Sequence, residues 1–237
     1  MKQFLDLFDV RKFLGEDEWK PTLILLFSAL LLTVHRYFGS MEFARSAFPV
    51  ASSFGVPAYM FAMAFILLGA VPAGVVKFGF RHSLREYGLQ WGDWKLGLTA
   101  TAILFPVIAV AMLYPGSQTA EMRSVYPFDV NAGSSLSAFL RFEAVRGILF
   151  YTAWEFFFRG FMLFGLRKYV GDWLAICIQT LPSCLWHIGM PTGEIFSSIA
   201  GGILFGVMAV RTRSILWPWL LHCSIGIGLD CFIVMTS

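Results

Sequence analysis

Long apolar runs separated by short polar segments dominate the sequence. A transmembrane helix needs about 20 predominantly apolar residues, and a run much shorter than that is an ambiguous span. Runs of suitable length lie at 21–37, 54–77, 95–114, 145–166, 172–189, 195–210 and 214–235. The pattern therefore predicts an all-α fold, a polytopic transmembrane helix bundle of about seven spans, with six and eight as alternatives because several runs are short.

The first 20 residues have a different pattern, in which charged positions alternate with apolar ones at helical spacing. The apolar members are Phe4, Leu5, Leu7, Phe8, Val10, Phe13 and Leu14. This spacing predicts a short amphipathic helix that lies on the membrane surface, with a solvated tail as the alternative. We expect residues 21–237 to form a single transmembrane domain.

Composition excludes a soluble domain and charge orients the bundle. Hydrophobic residues make up 57% of the chain and charged residues 14%, whereas soluble domains carry about 25% charged residues. The net charge of +3 is small, so no nucleic-acid partner is expected. With the N-terminus inside, twelve Lys and Arg residues fall in inner segments and four in outer ones. This bias predicts a cytoplasmic N-terminus.

Four polar residues stand out within the apolar runs of the C-terminal half: Glu155, Arg159, His187 and His222. A charge at the bilayer centre costs about 2.5–3.5 kcal/mol on insertion scales, so such residues usually face a bundle interior and mark function. Glu155 and Arg159 are four residues apart with the acid first, which favours an ion pair on one helix face. A lone intramembrane histidine is as often a packing residue, but two beside a charged pair favour a functional site.

This set of residues can activate water in more than one way. A glutamate in a dry cavity can act as a general base, and neutral imidazoles can bind a metal, a water or a developing oxyanion. Glu155, His187 and His222 could also be three ligands of Zn or another divalent metal, with one open position. These residues are compatible both with a metal site and with a site without metal. Other protease types fit less well, because HExxH is absent and Asp230 has no second buried Asp.

Three sequence blocks resemble a known family. WEFFFRG at 154–160 is similar to a motif EExxxR that is usually followed by Gly, and SCLWH at 183–187 to an apolar helix ending in His. GGILFG at 201–206 leads through RTRSILWP at 211–218 to His222, as in a third family block. Over roughly 140–230 the chain resembles the CPBP (Abi) intramembrane proteases, which include the type II CAAX prenyl endopeptidases.

The resemblance implies an intramembrane endopeptidase with its catalytic core at about 140–230. The implied partners are the lipid bilayer and a membrane-embedded or lipidated peptide cleaved near its C-terminus. The implied site consists of Glu155, Arg159, His187 and His222, with Zn or another divalent metal as a possible cofactor. We expect an integral protein of a prokaryotic inner membrane, and the sequence does not indicate an oligomeric state.

Two departures from the family pattern leave two interpretations open. Trp154 stands where the first Glu of EExxxR is expected, and Gly226 where an Asn or Asp follows the last His. Asp230 lies one turn further on, about 80° from His222 around the helix, and would reach the site only if the helix bent near Gly226. Either Glu155 serves as base or ligand in a divergent protease, or the protein is an inactive scaffold or bacteriocin-immunity-type member. Retention of both histidines favours activity.

Overall fold

The computed structural model describes Gly15 and residues 18–236, and this part of the chain is helical and contains no β-strand. The predicted all-α class is therefore confirmed. Most of the predicted amphipathic segment, residues 1–14, 16 and 17, lies outside the described residues. Its last two residues, Trp19 and Lys20, already belong to the first long helix.

Eight helices organise the described chain. They are α1 (Trp19–Phe38), α2 (Met41–Ala47), α3 (Gly55–Gly79), α4 (Trp94–Ser117), α5 (136–170), α6 (Asp172–Leu185), α7 (Thr192–Thr212) and α8 (Leu216–Met235). Short turns at Leu84–Tyr87, Ala120–Arg123 and Ala132–Ser134 lie in the connections. Helix α5 contains π-helical stretches at Arg146–Tyr151 and Phe156–Phe164, a feature often found at functional sites.

Five of the described helices, α1, α3, α4, α7 and α8, are long and apolar enough to cross a membrane. They confirm five of the seven predicted spans. The other two runs do not meet the same standard of length and composition. The run at 145–166 lies within α5, where buried charges lower the hydropathy, and the run at 172–189 forms only the 14-residue helix α6. At 1.5 Å per residue α6 is about 21 Å long, shorter than the bilayer core.

Helix α5 lies at the centre of the apolar core. Every residue from 153 to 163 is buried. The core around this segment includes Ile24 and Leu31 of α1, Ala64, Leu68 and Val76 of α3, and Ala175 and Ile176 of α6. Because protein surrounds this segment of α5, its charged residues Glu155 and Arg159 face other helices and need no contact with lipid.

Close packing between α6 and α7 depends on glycine. A Cβ added at Gly202 would lie 2.7 Å from Thr180 Cγ2, so only glycine allows this approach of the two helices. Gln179 Nε2 donates to the carbonyl of Gly202 over 2.9 Å and holds the helices together. Small residues four apart are typical of such membrane helix contacts. The glycine-rich block at 201–206 therefore allows α6, the helix that precedes His187, to lie close against α7.

The turn between α7 and α8 is fixed by the polar residues of the RTRS block. Arg213 has a left-handed backbone with φ 57°, which ends α7. Thr212 O accepts from Asp93 N over 2.8 Å. The Ser214 hydroxyl accepts from Leu216 N over 3.1 Å and donates to Gln90 O. These bonds set the start of α8 and hence the position of His222 near its second turn.

Candidate functional site

Glu155 connects α5 to α8 through two hydrogen bonds to one of its oxygens. Its Oε1 accepts from Arg159 Nη1 over 3.2 Å, which confirms the predicted pairing four residues apart on the helix. The same oxygen accepts from His222 Nδ1 over 2.7 Å. The Glu155 side chain has 0% exposure. Glu155 is therefore engaged by two donors inside the core.

His222 is oriented by Glu155 and by two aromatic rings. A carboxylate oxygen accepts, so Nδ1 carries the proton of this hydrogen bond and Nε2 is left for other contacts. The imidazole lies 4.4 Å from the Tyr151 ring and 5.3 Å from the Phe205 ring, between centroids. Its side chain is 22% exposed. This arrangement fixes the tautomer and orientation of the imidazole, as a carboxylate does in other histidine sites.

His187 follows the C-terminal end of α6 and is held in a similar way. Its Nδ1 donates to the Ser183 carbonyl over 2.7 Å, which leaves Nε2 without this proton in the neutral ring. The edge of the Trp154 ring meets the imidazole, with centroids 5.9 Å apart. Position 154, where the family motif has its first Glu, thus faces His187 with an indole.

A second carboxylate, Glu194 in the first turn of α7, faces His187 from the other side. Glu194 Oε1 lies 3.7 Å from His187 Nε2, within ion-pair range and longer than a hydrogen bond. The same oxygen accepts from Tyr126 Oη over 2.8 Å. Glu194 Oε2 is buried and has no hydrogen-bond partner among the described residues.

Tyr126 reaches Glu194 from the connection between α4 and α5. Burial, and then the charge of Glu194, raise the pKa of the Tyr126 hydroxyl well above its usual value. The hydroxyl is therefore protonated at neutral pH and donates to Glu194. Sequence reasoning missed this pair, because an acidic residue in a first helical turn ordinarily complements the helix dipole. The contact joins residues 68 positions apart, which no local pattern predicts.

Asp230 belongs to another cluster and does not approach His222 as the bent-helix prediction required. Its Oδ2 lies 3.1 Å from Arg146 Nη1, and Arg146 Nη2 donates to Glu143 Oε2 over 2.7 Å. The exposure of all three side chains is 5% or less. Helix α8 continues as an α-helix from Leu216 to Met235, so Gly226 does not introduce the bend.

Gly226 instead makes room for the hydroxyl of Tyr151. A Cβ at position 226 would lie 2.0 Å from Tyr151 Oη and 3.1 Å from Arg146 Nη2. The volume in which an Asn or Asp side chain would begin is thus taken by the phenol of Tyr151. A polar group is present at this position, but it comes from α5 and not from α8.

The predicted metal ligands do not fit a shared metal in this arrangement. Within the described ranges, no group of three His, Cys, Asp or Glu side chains could hold a metal ion. Glu155 Oε1 accepts a hydrogen bond from His222 Nδ1, and the Ser183 carbonyl accepts one from His187 Nδ1, so neither hydrogen bond uses the Nε2 atom of its ring. The structure brings Glu155, Arg159 and His222 together, and places His187 with Trp154 and Glu194. The chemistry derived below therefore uses these side chains alone.

The family comparison covers the same helices. Residues 136–227 match the family model described as "Type II CAAX prenyl endopeptidase Rce1-like". The match confirms the resemblance drawn from the motifs over this part of the chain. It includes every residue of the site described above except Tyr126. Neither a curated protein nor a solved structure matches the chain.

Proposed function

We propose that the protein is an intramembrane endopeptidase, similar to the CAAX proteases, that hydrolyses a peptide bond near the C-terminus of a membrane-embedded or lipidated peptide. The observation that carries this proposal is the state of the two imidazoles. Each has Nδ1 fixed by an acceptor, and each side chain keeps about a fifth of its surface exposed. Fixed, partly accessible imidazoles suit proton transfer and charge stabilisation at a reacting carbonyl.

In this proposal Glu155 positions His222 and does not touch the substrate. Its buried carboxylate holds the imidazole by Nδ1, while Arg159 balances the carboxylate charge. When the His222 ring is an imidazolium, with a proton on each nitrogen, Nε2 can donate to the oxyanion that forms on the scissile carbonyl. The Tyr151 hydroxyl is the second candidate donor. Preorganised donors of this kind contribute about 3–4 kcal/mol each in known enzymes. Loss of either donor is therefore expected to slow cleavage strongly.

The proposed orientation has the N-terminus in the cytoplasm. Lys20, at the start of α1, lies 3.1 Å from His82 Nε2 in the connection between α3 and α4. That connection also bonds the turn after α7, since Gln90 Nε2 donates to Arg213 O. The basic residues of both connections therefore share the membrane face of Lys20. This grouping supports the predicted positive-inside orientation.

A second candidate is an inactive member that acts as a membrane scaffold or immunity-type protein. It is favoured by Trp154, whose indole packs among other rings. The neighbouring rings are Phe150 at 5.4 Å, Phe158 at 4.7 Å and Trp186 at 6.2 Å, between centroids. The position of the first motif Glu has thus become part of the apolar core.

Peptide cleavage by the purified protein distinguishes the two candidates. A farnesylated CAAX-type peptide and the same peptide without the lipid are incubated with the wild type, His187→Ala and His222→Ala. The protease proposal expects cleavage that both variants lose. His82→Ala is the matched control, because His82 bonds Lys20 and Tyr87 away from the site. The scaffold candidate is supported if the wild type cleaves neither peptide and both alanine variants still replace the wild type in a cellular complementation assay.

A further inference from the structure

We propose that Glu194 is the general base of this site, supplied by α7 in place of the carboxylate that is absent at position 154 of α5. The assignment rests on the proposed protease function and extends it. No sequence motif includes Glu194, which precedes the apolar run of α7. The argument has three parts: the atoms that face each other, the state of the other carboxylate, and the geometry around His187.

The facing atoms of His187 and Glu194 are both acceptors. His187 Nδ1 carries a proton because the Ser183 carbonyl can only accept, so Nε2 of the neutral ring presents a lone pair. Glu194 Oε1 lies 3.7 Å from this nitrogen. Two acceptors at this separation are matched by a water molecule that donates one hydrogen to each. A carboxylate and an imidazole that share one water are a usual arrangement for activating it.

Glu155 is not free to take this role. Its Oε1 already accepts from Arg159 and His222, and its side chain has no exposed surface. Glu194 differs from Glu155 in its exposure to solvent and in its hydrogen-bond donor. Its side chain is 20% exposed, Tyr126 donates to one of its oxygens, and its other oxygen has no partner among the described residues. Each carboxylate has one buried oxygen without a partner among the described residues, but of the two only Glu194 has a side chain with exposed surface that a water molecule can reach.

Position 154 and Glu194 flank the same imidazole. The Trp154 ring meets His187 from α5, edge to face, while Glu194 meets it from α7. A carboxylate at either position would therefore lie beside the same histidine, His187. We infer that this chain retains a carboxylate beside His187 and that the carboxylate has moved from one helix to the other.

The resulting step balances without a metal or a redox partner. A proton passes from water to Glu194 as the water oxygen forms a bond to the scissile carbonyl carbon, and the carbonyl electron pair moves onto its oxygen. That oxyanion is held by His222 and Tyr151. When the C–N bond breaks, the proton held by Glu194 passes to the leaving amine. Glu194 returns as a carboxylate, and the products are an acid and an amine.

Cleavage rates of the purified protein on the two peptides test the assignment. Glu194→Gln keeps the shape and removes the base, so we expect a loss of about 10²–10⁴-fold. Tyr126→Phe removes one hydrogen bond and keeps the carboxylate, so we expect a loss of less than about 10-fold. Glu121→Gln is the matched control, because Glu121 bonds Thr192 at the start of α7, on the exposed surface. We expect it to cleave at the wild-type rate.

A rescue variant separates a base from a structural carboxylate. Trp154→Glu in the Glu194→Gln background returns a carboxylate to His187 from α5. We expect at least about a 10-fold recovery over Glu194→Gln, since a base at the new position again takes the proton. Trp154→Gln in the same background has nearly the same shape and is expected to recover nothing. Thermal unfolding of each variant confirms that it is folded.

The reference variants separate failure of this assignment from failure of the proposed function. If the wild type cleaves, His222→Ala does not, and Glu194→Gln equals the wild type, the protease stands and the Glu194 assignment is overturned. Equal rates for the Glu and Gln rescue variants also overturn it. If the wild type cleaves neither peptide, the proposed function fails and this assignment fails with it.

Discussion

Helix α5 carries two buried charge clusters that differ in one respect. The closed cluster consists of Glu143, Arg146 and Asp230, and the open cluster of Glu155, Arg159 and His222. In both, an arginine of α5 pairs with a glutamate of the same helix and a residue of α8 completes the set. The α8 residue of the closed cluster is a fully buried carboxylate, whereas that of the open cluster is a partly exposed imidazole.

The comparison shows that a buried charge is not by itself evidence of a catalytic site. Two carboxylates form ion pairs with one guanidinium in the closed cluster, and the exposure of each of the three side chains is 5% or less. Its described contacts join α5 to α8. In the open cluster, the carboxylate and guanidinium support a third group that can meet a substrate. The position of the exposed titratable group decides which cluster can react.

The largest effect is expected from breaking the closed cluster at its only cation. Arg146→Met leaves Glu143 and Asp230 buried without their partner, so we expect a loss of about 3–5 kcal/mol in stability. Thermal unfolding in detergent measures this loss. The triple variant Glu143→Leu/Arg146→Met/Asp230→Leu replaces the whole cluster by apolar side chains and is expected to recover most of it. A triple variant as unstable as Arg146→Met would contradict the proposed structural role.

Substitution of Gly226 tests the contact between α8 and Tyr151 of α5, which lies between the two clusters. Gly226→Ala puts a Cβ 2.0 Å from Tyr151 Oη, so the phenol must move and we expect a loss of about 1–3 kcal/mol. Tyr151→Phe removes the hydroxyl and is expected to relieve part of the strain in the double variant. Urea unfolding of the three variants measures the coupling. Simple addition of the two single effects would show that residues 151 and 226 do not interact.

In the open cluster, Glu155→Gln tests the positioning role. The amide keeps the volume but holds the imidazole of His222 less firmly, so we expect cleavage to fall by about 10–100-fold, a size typical of residues that orient a reacting group. The loss is expected in kcat more than in KM, because substrate contacts stay in place. Steady-state kinetics on the farnesylated peptide provide the measurement. A drop of 10⁴-fold or more would instead assign Glu155 the base role that the sequence predicts for it.

The smallest effect is expected from an exposed ion pair on the same helix. Arg167 Nε lies 2.7 Å from Asp172 Oδ1, but the two side chains are 29% and 50% exposed. Solvent screens such pairs, so Arg167→Ala is expected to cost about 0.2–1 kcal/mol, and less at high salt. Thermal unfolding at two ionic strengths checks this. A loss of stability as large as that of Arg146→Met would show that burial does not explain why the closed cluster contributes more than this exposed pair.

Local sequence rules predicted the half of the site that lies on one helix or in one motif. Glu155 and Arg159 pair because their spacing follows the helical repeat. His222 was identified as a polar residue within an apolar run, and the order of the motifs agreed with it. The rules did not predict Glu194 or the Arg146–Asp230 pair. Both depend on the rotation of one helix against another, which side-chain packing sets and a single sequence does not encode in its spacing.

The span count shows the same limit. Apolar length alone predicted a span at 172–189, although the structure ends that helix at Leu185. Hydropathy also identified the run at 145–166 without showing that every residue from 153 to 163 within it is buried by protein. Length and hydropathy describe contact with lipid, and both measures fail for a helix whose neighbours are other helices.

The length of the short helix α6 also bears on how deep His187 lies in the membrane core. Its 14 residues are about 21 Å long, so with Asp172 at one boundary of a core about 30 Å thick, the end of α6 before His187 would lie roughly 9 Å inside the opposite boundary. Irregular backbone at such a depth persists only where protein or a water-filled recess covers it. The depth of such a recess would set how far a substrate inserts. A substrate entering from that side would cross about a third of the membrane core before its scissile bond met the imidazole. Residues beyond that bond would stay near the headgroups, so the length of the released fragment would follow from the length of one helix.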